Sequence, residues 1–120
     1  GSVYLAPGNY HMTAEKVEGQ VKIRLNQEPQ VNYCRPSVDP MLKSLVQIYG
    51  KGLLTVILTG MGSDGLGGAR DAVAAGGTVI AQDERTSVVW GMPRAVAENK
   101  LCSAILPIDD IAPYIVKACA

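Results

Sequence analysis

The residues best placed to do chemistry lie in one short stretch, Thr59-Gly60-Met61-Gly62-Ser63-Asp64-Gly65. Its three glycines let a backbone turn tightly and approach a bound group. Free N–H groups at the start of a following helix would favour negative charge. Three kinds of chemistry fit. Gly60-x-Gly62-x-x-Gly65 has the form of a dinucleotide fingerprint, and Asp83 follows at about the ~20-residue spacing of a ribose-binding acid. Against this, the Asp64 carboxylate in the turn would repel a pyrophosphate unless it points away. Alternatively, Asp64 is the acid of a hydrolytic site, orienting a histidine while the N–H groups of Met61 or Gly62 stabilise an oxyanion. In the third reading Asp64 only caps its own helix.

Other residues invite less. Ser63 adjoins Asp64, but a carboxylate does not activate a serine without a base between them. Ser37 follows a proline and is read as helping to start a helix, with no base nearby. Arg35 is read either as a loop brace or as a residue near a substrate. Trp90 and Met92 are read as packing against a sheet. Cys34, Cys102 and Cys119 have no metal-ligand spacing and are read as reduced thiols. Cys102 has no adjacent basic residue in sequence to lower its pKa.

The elements that must position the glycine stretch follow from hydrophobic period. Val3–Leu5 is a short apolar segment ended by Ala6-Pro7-Gly8-Asn9. Val21, Ile23 and Leu25 alternate with Lys22 and Arg24, predicting a half-buried strand that Glu18-Gly19 turns against Met12–Val17. Residues 26–36 show no period and are expected to form a loop. Asp39-Pro40 predicts a helix start, with Asp39 as the cap and Met41, Leu42, Leu45, Val46 and Tyr49 on one face up to Gly50. Leu53–Leu58 is an apolar run without alternation, as in a strand covered on both faces. The glycine stretch then leads into a helix ending at Gly76-Gly77. A strand over Thr78–Ala81, a helix from Met92 to about Lys100 and a strand over Leu101–Leu106 come next. A last helix, capped by Asp109 or Asp110, ends near Lys117. Strands alternating with helices predict an α/β fold, a Rossmann-like parallel sheet flanked by helices, with an N-terminal β-hairpin.

Composition narrows the function. Eleven basic and eleven acidic side chains in 120 residues cancel, which argues against a nucleic-acid partner, since that needs a basic face. Apolar runs are too short for membrane insertion, and no basic region precedes an apolar run at the N-terminus.

The glycine stretch resembles the signature loop of the bacterial chemotaxis protein-glutamate methylesterases. Val3-Tyr4-Leu5-Ala6-Pro7-Gly8 with His11-Met12, Arg35-Pro36-Ser37-Val38-Asp39 and Gly91-Met92-Pro93 resemble the same family in the same order, so the likeness covers nearly the whole chain. It implies hydrolysis of glutamyl methyl esters, and deamidation of glutamines, on the cytoplasmic helices of chemoreceptors. It implies a Ser-His-Asp set without metal or organic cofactor, a cytoplasmic location and a receiver domain in the parent protein. The family's aspartate falls on Asp64. The family's Ser-Thr-Gly-Gly type and Gln-His-Met-Pro type motifs, which carry nucleophile and base, do not occur here. His11 matches the His-Met after the Ala-Pro-Gly turn, not the catalytic base, and is read as structural. Residues 1–120 are therefore expected to be the C-terminal part of a catalytic domain, a truncated unit inactive alone. An inner strand left at an edge is expected to promote self-association. A non-catalytic interaction domain is the other alternative.

Overall fold

The computed structural model describes all residues, 1–120. A three-stranded parallel sheet, order β3-β4-β5, is built from β3 (Leu54–Ile57), β4 (Thr78–Gln82) and β5 (Ala104–Leu106). Leu54 pairs with Thr78, and Ile80 with Ala104. Helices α2 (Leu66–Ala74) and α3 (Met92–Glu98) make the two crossovers, and α4 (Ile108–Ala118) follows β5. Ile57, Val79 and Ala81 form the core with Ala69 and Ala72 of α2 and Val96 of α3. The two alanines let α2 lie close to the sheet, while Val79 and Val96, fully buried, each contribute roughly 1.5–3 kcal/mol. β4 is the central strand and is covered on both faces, which explains its unalternating sequence.

Helix α1 (Val38–Tyr49) packs on α2, and a hairpin of β1 (His11–Val17) and β2 (Gln20–Asn26) packs on α1. The Ala14 N–H donates to Ser44 Oγ at 2.9 Å, tying hairpin to helix.

The α/β fold, the parallel sheet and the hairpin agree with the sequence reading, with five local differences, one being that the last strand spans only Ala104–Leu106 and not Leu101–Leu106. Val3–Leu5 joins no strand, and Val3 and Leu5 are exposed. Val21 and Leu25 alternate as expected but are largely uncovered, because only β1 faces α1 closely. Helix α1 begins at Val38 rather than Pro40, with Ser37 at its N-cap and the Asp39 side chain turned to another helix. At α4 the N-cap residue is Pro107. Asp109 and Asp110 lie in the first turn, where they complement the helix dipole without a capping hydrogen bond.

Candidate functional site

The glycine loop sits at the carboxyl end of β3, where ligands bind in sheets of this kind. It is held from the side by the loop before α3. Gly60 N–H donates to Val89 C=O, and Gly60 C=O accepts from the N–H groups of Gly91 and Met92. A Cβ on Gly91 would lie 2.8 Å from Gly60 O and 3.0 Å from Gly62 N, so glycine there is a condition of the backbone contact. Met92 packs against the core, its Sδ only 2.7 Å from where a Cβ of Gly60 would be, and the Trp90 indole N–H donates to Gln82 C=O. Both thus pack on the sheet as read. The N–H groups of Met61 and Gly62 have no acceptor within the protein, and the Met61 side chain is exposed.

Asp64 leaves this loop in the other direction. It is only 7% exposed, and its carboxylate spans the gap to the start of α1. Oδ2 accepts the Val38 N–H at 2.8 Å. Oδ1 accepts the Ser37 hydroxyl at 2.7 Å, the Asn32 amide at 3.0 Å and, more weakly, the Asp39 N–H at 3.4 Å. Burial alone would raise its pKa. The Val38 N–H, the Ser37 hydroxyl, the Asn32 amide and the Asp39 N–H outweigh it and hold the carboxyl below its ordinary value of 3.8. Asp64 is therefore a cap, but of α1 and not of the helix that follows it. Ser37, the N-cap residue, makes no side-chain cap bond because its hydroxyl supports Asp64 instead.

The arrangement is reciprocal. Asp39, in the first turn of α1, accepts the Gly68 N–H in the first turn of α2 at 2.7 Å through Oδ1, and the Asn32 amide at 2.7 Å through Oδ2. Each helix start is thus satisfied by a carboxylate attached to the other, and one amide touches both carboxylates. The close approach requires Gly68, whose Cβ would stand 2.5 Å from Leu42 Cβ.

His11 is near this network but is fully engaged. Its Nδ1 accepts the Ser37 N–H at 3.2 Å and its Nε2 lies 2.9 Å from Pro29 O, which fixes the proton on Nε2. With 1% exposure it is a satisfied core side chain, in line with the structural reading. The arrangement is no serine–histidine pair, since the contact runs through the Ser37 backbone and not its hydroxyl. Arg35 donates to Asn9 Oδ1 from Nε and Nη2 and to the carbonyls of Gln27 and Glu28 from Nη1. It braces the Pro7-Gly8-Asn9 turn against the loop after β2. No three His, Cys, Asp or Glu side chains converge as a metal site would require. Cys34, Cys102 and Cys119 are free thiols, and burial pushes the Cys102 pKa up, away from reactivity.

The dinucleotide alternative meets a specific obstacle. Pyrophosphate binds the N-terminus of the helix after the glycine turn, and here the Asp39 carboxylate already takes the Gly68 N–H. Asp83 is committed to a local turn, accepting both the N–H and the hydroxyl of Thr86.

The periodless stretch 26–36 hid the most important partner, Asn32. Val31 and Cys34 exchange both backbone hydrogen bonds around Asn32 and Tyr33, whose φ values are +53° and +62°. An Asn at the first of two left-handed positions is a tight-turn signal. Adjacent glycines at 67 and 68, inside a helix, were the corresponding signal for a close helix contact.

A family model described as CheB methylesterase matches residues 1–115. The chain is 56% identical over its full length to a protein-glutamate methylesterase/protein-glutamine glutaminase 1 of Paramagnetospirillum magneticum, covering 32% of that protein. It is 53% identical over 98% of its length to the corresponding group 2 operon protein of Rhodopseudomonas palustris, covering 30% of it. The chain thus spans about a third of the length of the curated relatives it matches. The crystal structure of the Thermotoga maritima CheB methylesterase catalytic domain superposes with a TM-score of 0.93 at 39% identity, over 95% of this chain and 60% of that one. These likenesses give the dinucleotide reading no support.

Proposed function

We propose, from the premise that this chain belongs to the CheB methylesterase family, that it supplies the acid and part of the oxyanion loop of a Ser-His-Asp ester hydrolase. The substrates would be glutamyl methyl esters, and glutamines to be deamidated, on the cytoplasmic helices of chemoreceptors, in chemotaxis adaptation. The relatives' names support that reaction class. A receiver domain in the full-length protein and a cytoplasmic location belong to the same proposal. No helix here is long and apolar enough to cross a membrane.

The observation that carries the assignment of Asp64 is the asymmetry of its carboxylate. Oδ1 is filled by three donors, whereas Oδ2 takes only one. Each carboxylate oxygen has about two acceptor sites. One site on Oδ2 therefore remains to receive an imidazole N–H, and the low pKa keeps the group ionised to stabilise an imidazolium. The serine and histidine would come from outside this sequence. Met61 and Gly62 are the proposed oxyanion donors, since their N–H groups lie at the strand end with no protein acceptor. Arg35, the brace of the loop that carries Asn32, is proposed to lie near the substrate.

The test is methanol release from methylated receptor by the full-length enzyme carrying this chain, wild type against Asp64→Asn. A fall of about 10⁴ in turnover is expected, the size seen when a triad aspartate loses its charge. Retained turnover in a folded Asp64→Asn protein would reduce Asp64 to a helix cap.

A further inference from the structure

The geometry points to Asn32 as a positioning residue for Asp64, its single amide clamping the carboxylates of Asp64 and Asp39 so that Oδ2 of Asp64 is the oxygen presented to the histidine. The inference rests on the catalytic reading of Asp64 and extends it to a residue outside the glycine loop.

Two independent demands meet at this position. The backbone has φ of +53° at the first corner of the Val31–Cys34 turn, a region open to Gly and, among side-chain-bearing residues, chiefly to Asn and Asp. The side chain must also donate to two anions, since Nδ2 lies 2.7 Å from Asp39 Oδ2 and 3.0 Å from Asp64 Oδ1. Asp has no donor when ionised and Gly has no side chain, so of these three residues only Asn meets both demands. Nδ2 carries two N–H groups, one for each carboxylate.

The clamp acts on orientation. Ser37 also reaches Oδ1, but its hydroxyl can rotate. The Val38 N–H holds Oδ2 at one lone pair only. The planar Asn32 amide, fixed by its turn and anchored on Asp39, sets the rotation of the Asp64 carboxylate about its side-chain bond. Asp39 is in turn held by the Gly68 N–H. The chain of contacts thus runs from the first turn of α2 through Asp39 and Asn32 back to the residue that precedes α2.

The experiment uses the full-length enzyme carrying this chain, with Asn32→Gly, Asn32→Asp, Asp64→Asn and the double variant Asn32→Gly with Asp64→Asn. Methanol release is measured per folded molecule, the folded fraction being set by near-ultraviolet circular dichroism. Asn32→Gly and Asn32→Asp both preserve the left-handed turn and both remove the donors. Each is expected to lower kcat by about 10²-fold, the order of effect of a misplaced catalytic group, with KM for methylated receptor unchanged. In the Asp64→Asn background, Asn32→Gly is expected to have no further effect, because the residue acts through Asp64. Unchanged kcat in either Asn32 variant overturns the proposal, and so does a full penalty that persists without the Asp64 carboxylate. Retained turnover in Asp64→Asn alone would instead overturn the catalytic reading beneath it.

Discussion

At the scale of single residues, the site is an exercise in satisfying two buried carboxylates. Asp64 takes hydrogen bonds from two side chains and from backbone N–H groups at a helix start, and such charge-assisted bonds are each worth about 1.5–3 kcal/mol. Their combined effect exceeds the burial penalty, so the folded carboxyl has a pKa below its ordinary 3.8. A group depressed in this way contributes stability that is complete above its unfolded pKa and lost as pH falls through its folded one. Wild-type protein is therefore expected to lose resistance to urea as pH falls below about 4. Asp64→Asn, less stable at pH 7 because its amide would oppose the Val38 N–H, should lose less over the same interval. Urea midpoints at pH 7 and pH 3 for both proteins measure this, and equal losses would show that the Asp64 proton is not linked to folding.

At the scale of elements, α1 and α2 start beside each other and exchange caps: Asp64 closes α1 and Asp39 closes α2. Their separation is set by Gly68 against Leu42. Alanine is normally the better helix former by about 1 kcal/mol. Gly68→Ala is nevertheless expected to destabilise the protein by about 1–3 kcal/mol, through the overpacking its Cβ causes. Leu42→Ala should not rescue it, because the nearest atom to the new methyl is Leu42 Cβ, which alanine retains. Thermal melts of the two single variants and the double decide the point. A stabilised Gly68→Ala, or a rescued double, would mean that the helices separate at little cost. The same variant should also reduce methanol release in the full-length enzyme, since moving α2 carries Asp39 away from Asn32.

At the scale of the molecule, the sheet has two edges, and β3 is one of them. Elsewhere, Val3 and Leu5 of the N-terminal segment are apolar and exposed. Unpaired N–H and C=O groups along an edge strand are a template for another chain. The isolated 120 residues are expected to self-associate, so sedimentation velocity should show species heavier than the monomer that grow with concentration. A monomer throughout the accessible range would show that the edge is protected. The isolated chain is also expected to release no methanol above the uncatalysed rate, because the proposed acid and oxyanion donors could not attack an ester without a nucleophile and base. Release above that rate would require a nucleophile within these residues.

Much of this could be derived from the sequence. The alternation of apolar runs with helical periods determined the α/β class, because a strand buried on both faces cannot alternate. Glycine spacing at 60, 62 and 65 located the turn at a strand end, because Gly62 and Gly65 take φ of +89° and +97° and Gly60 is crowded by Met92. Motif order pointed to the family that the comparisons show. What Asp64 touches was decided only by the tertiary structure. Its partners lie 26, 27 and 32 positions away at Val38, Ser37 and Asn32, and no local pattern encodes a hydrogen bond across that distance. Asp39 shows the same limit. Its type and place beside Pro40 mark a helix start, yet its carboxylate serves the other helix, because α1 and α2 are packed with their starts together. Period and propensity describe a residue's own element. Which neighbour's unsatisfied N–H groups a carboxylate meets depends on how the elements pack, and that was set by Gly68 on Leu42 and by the turn at Asn32.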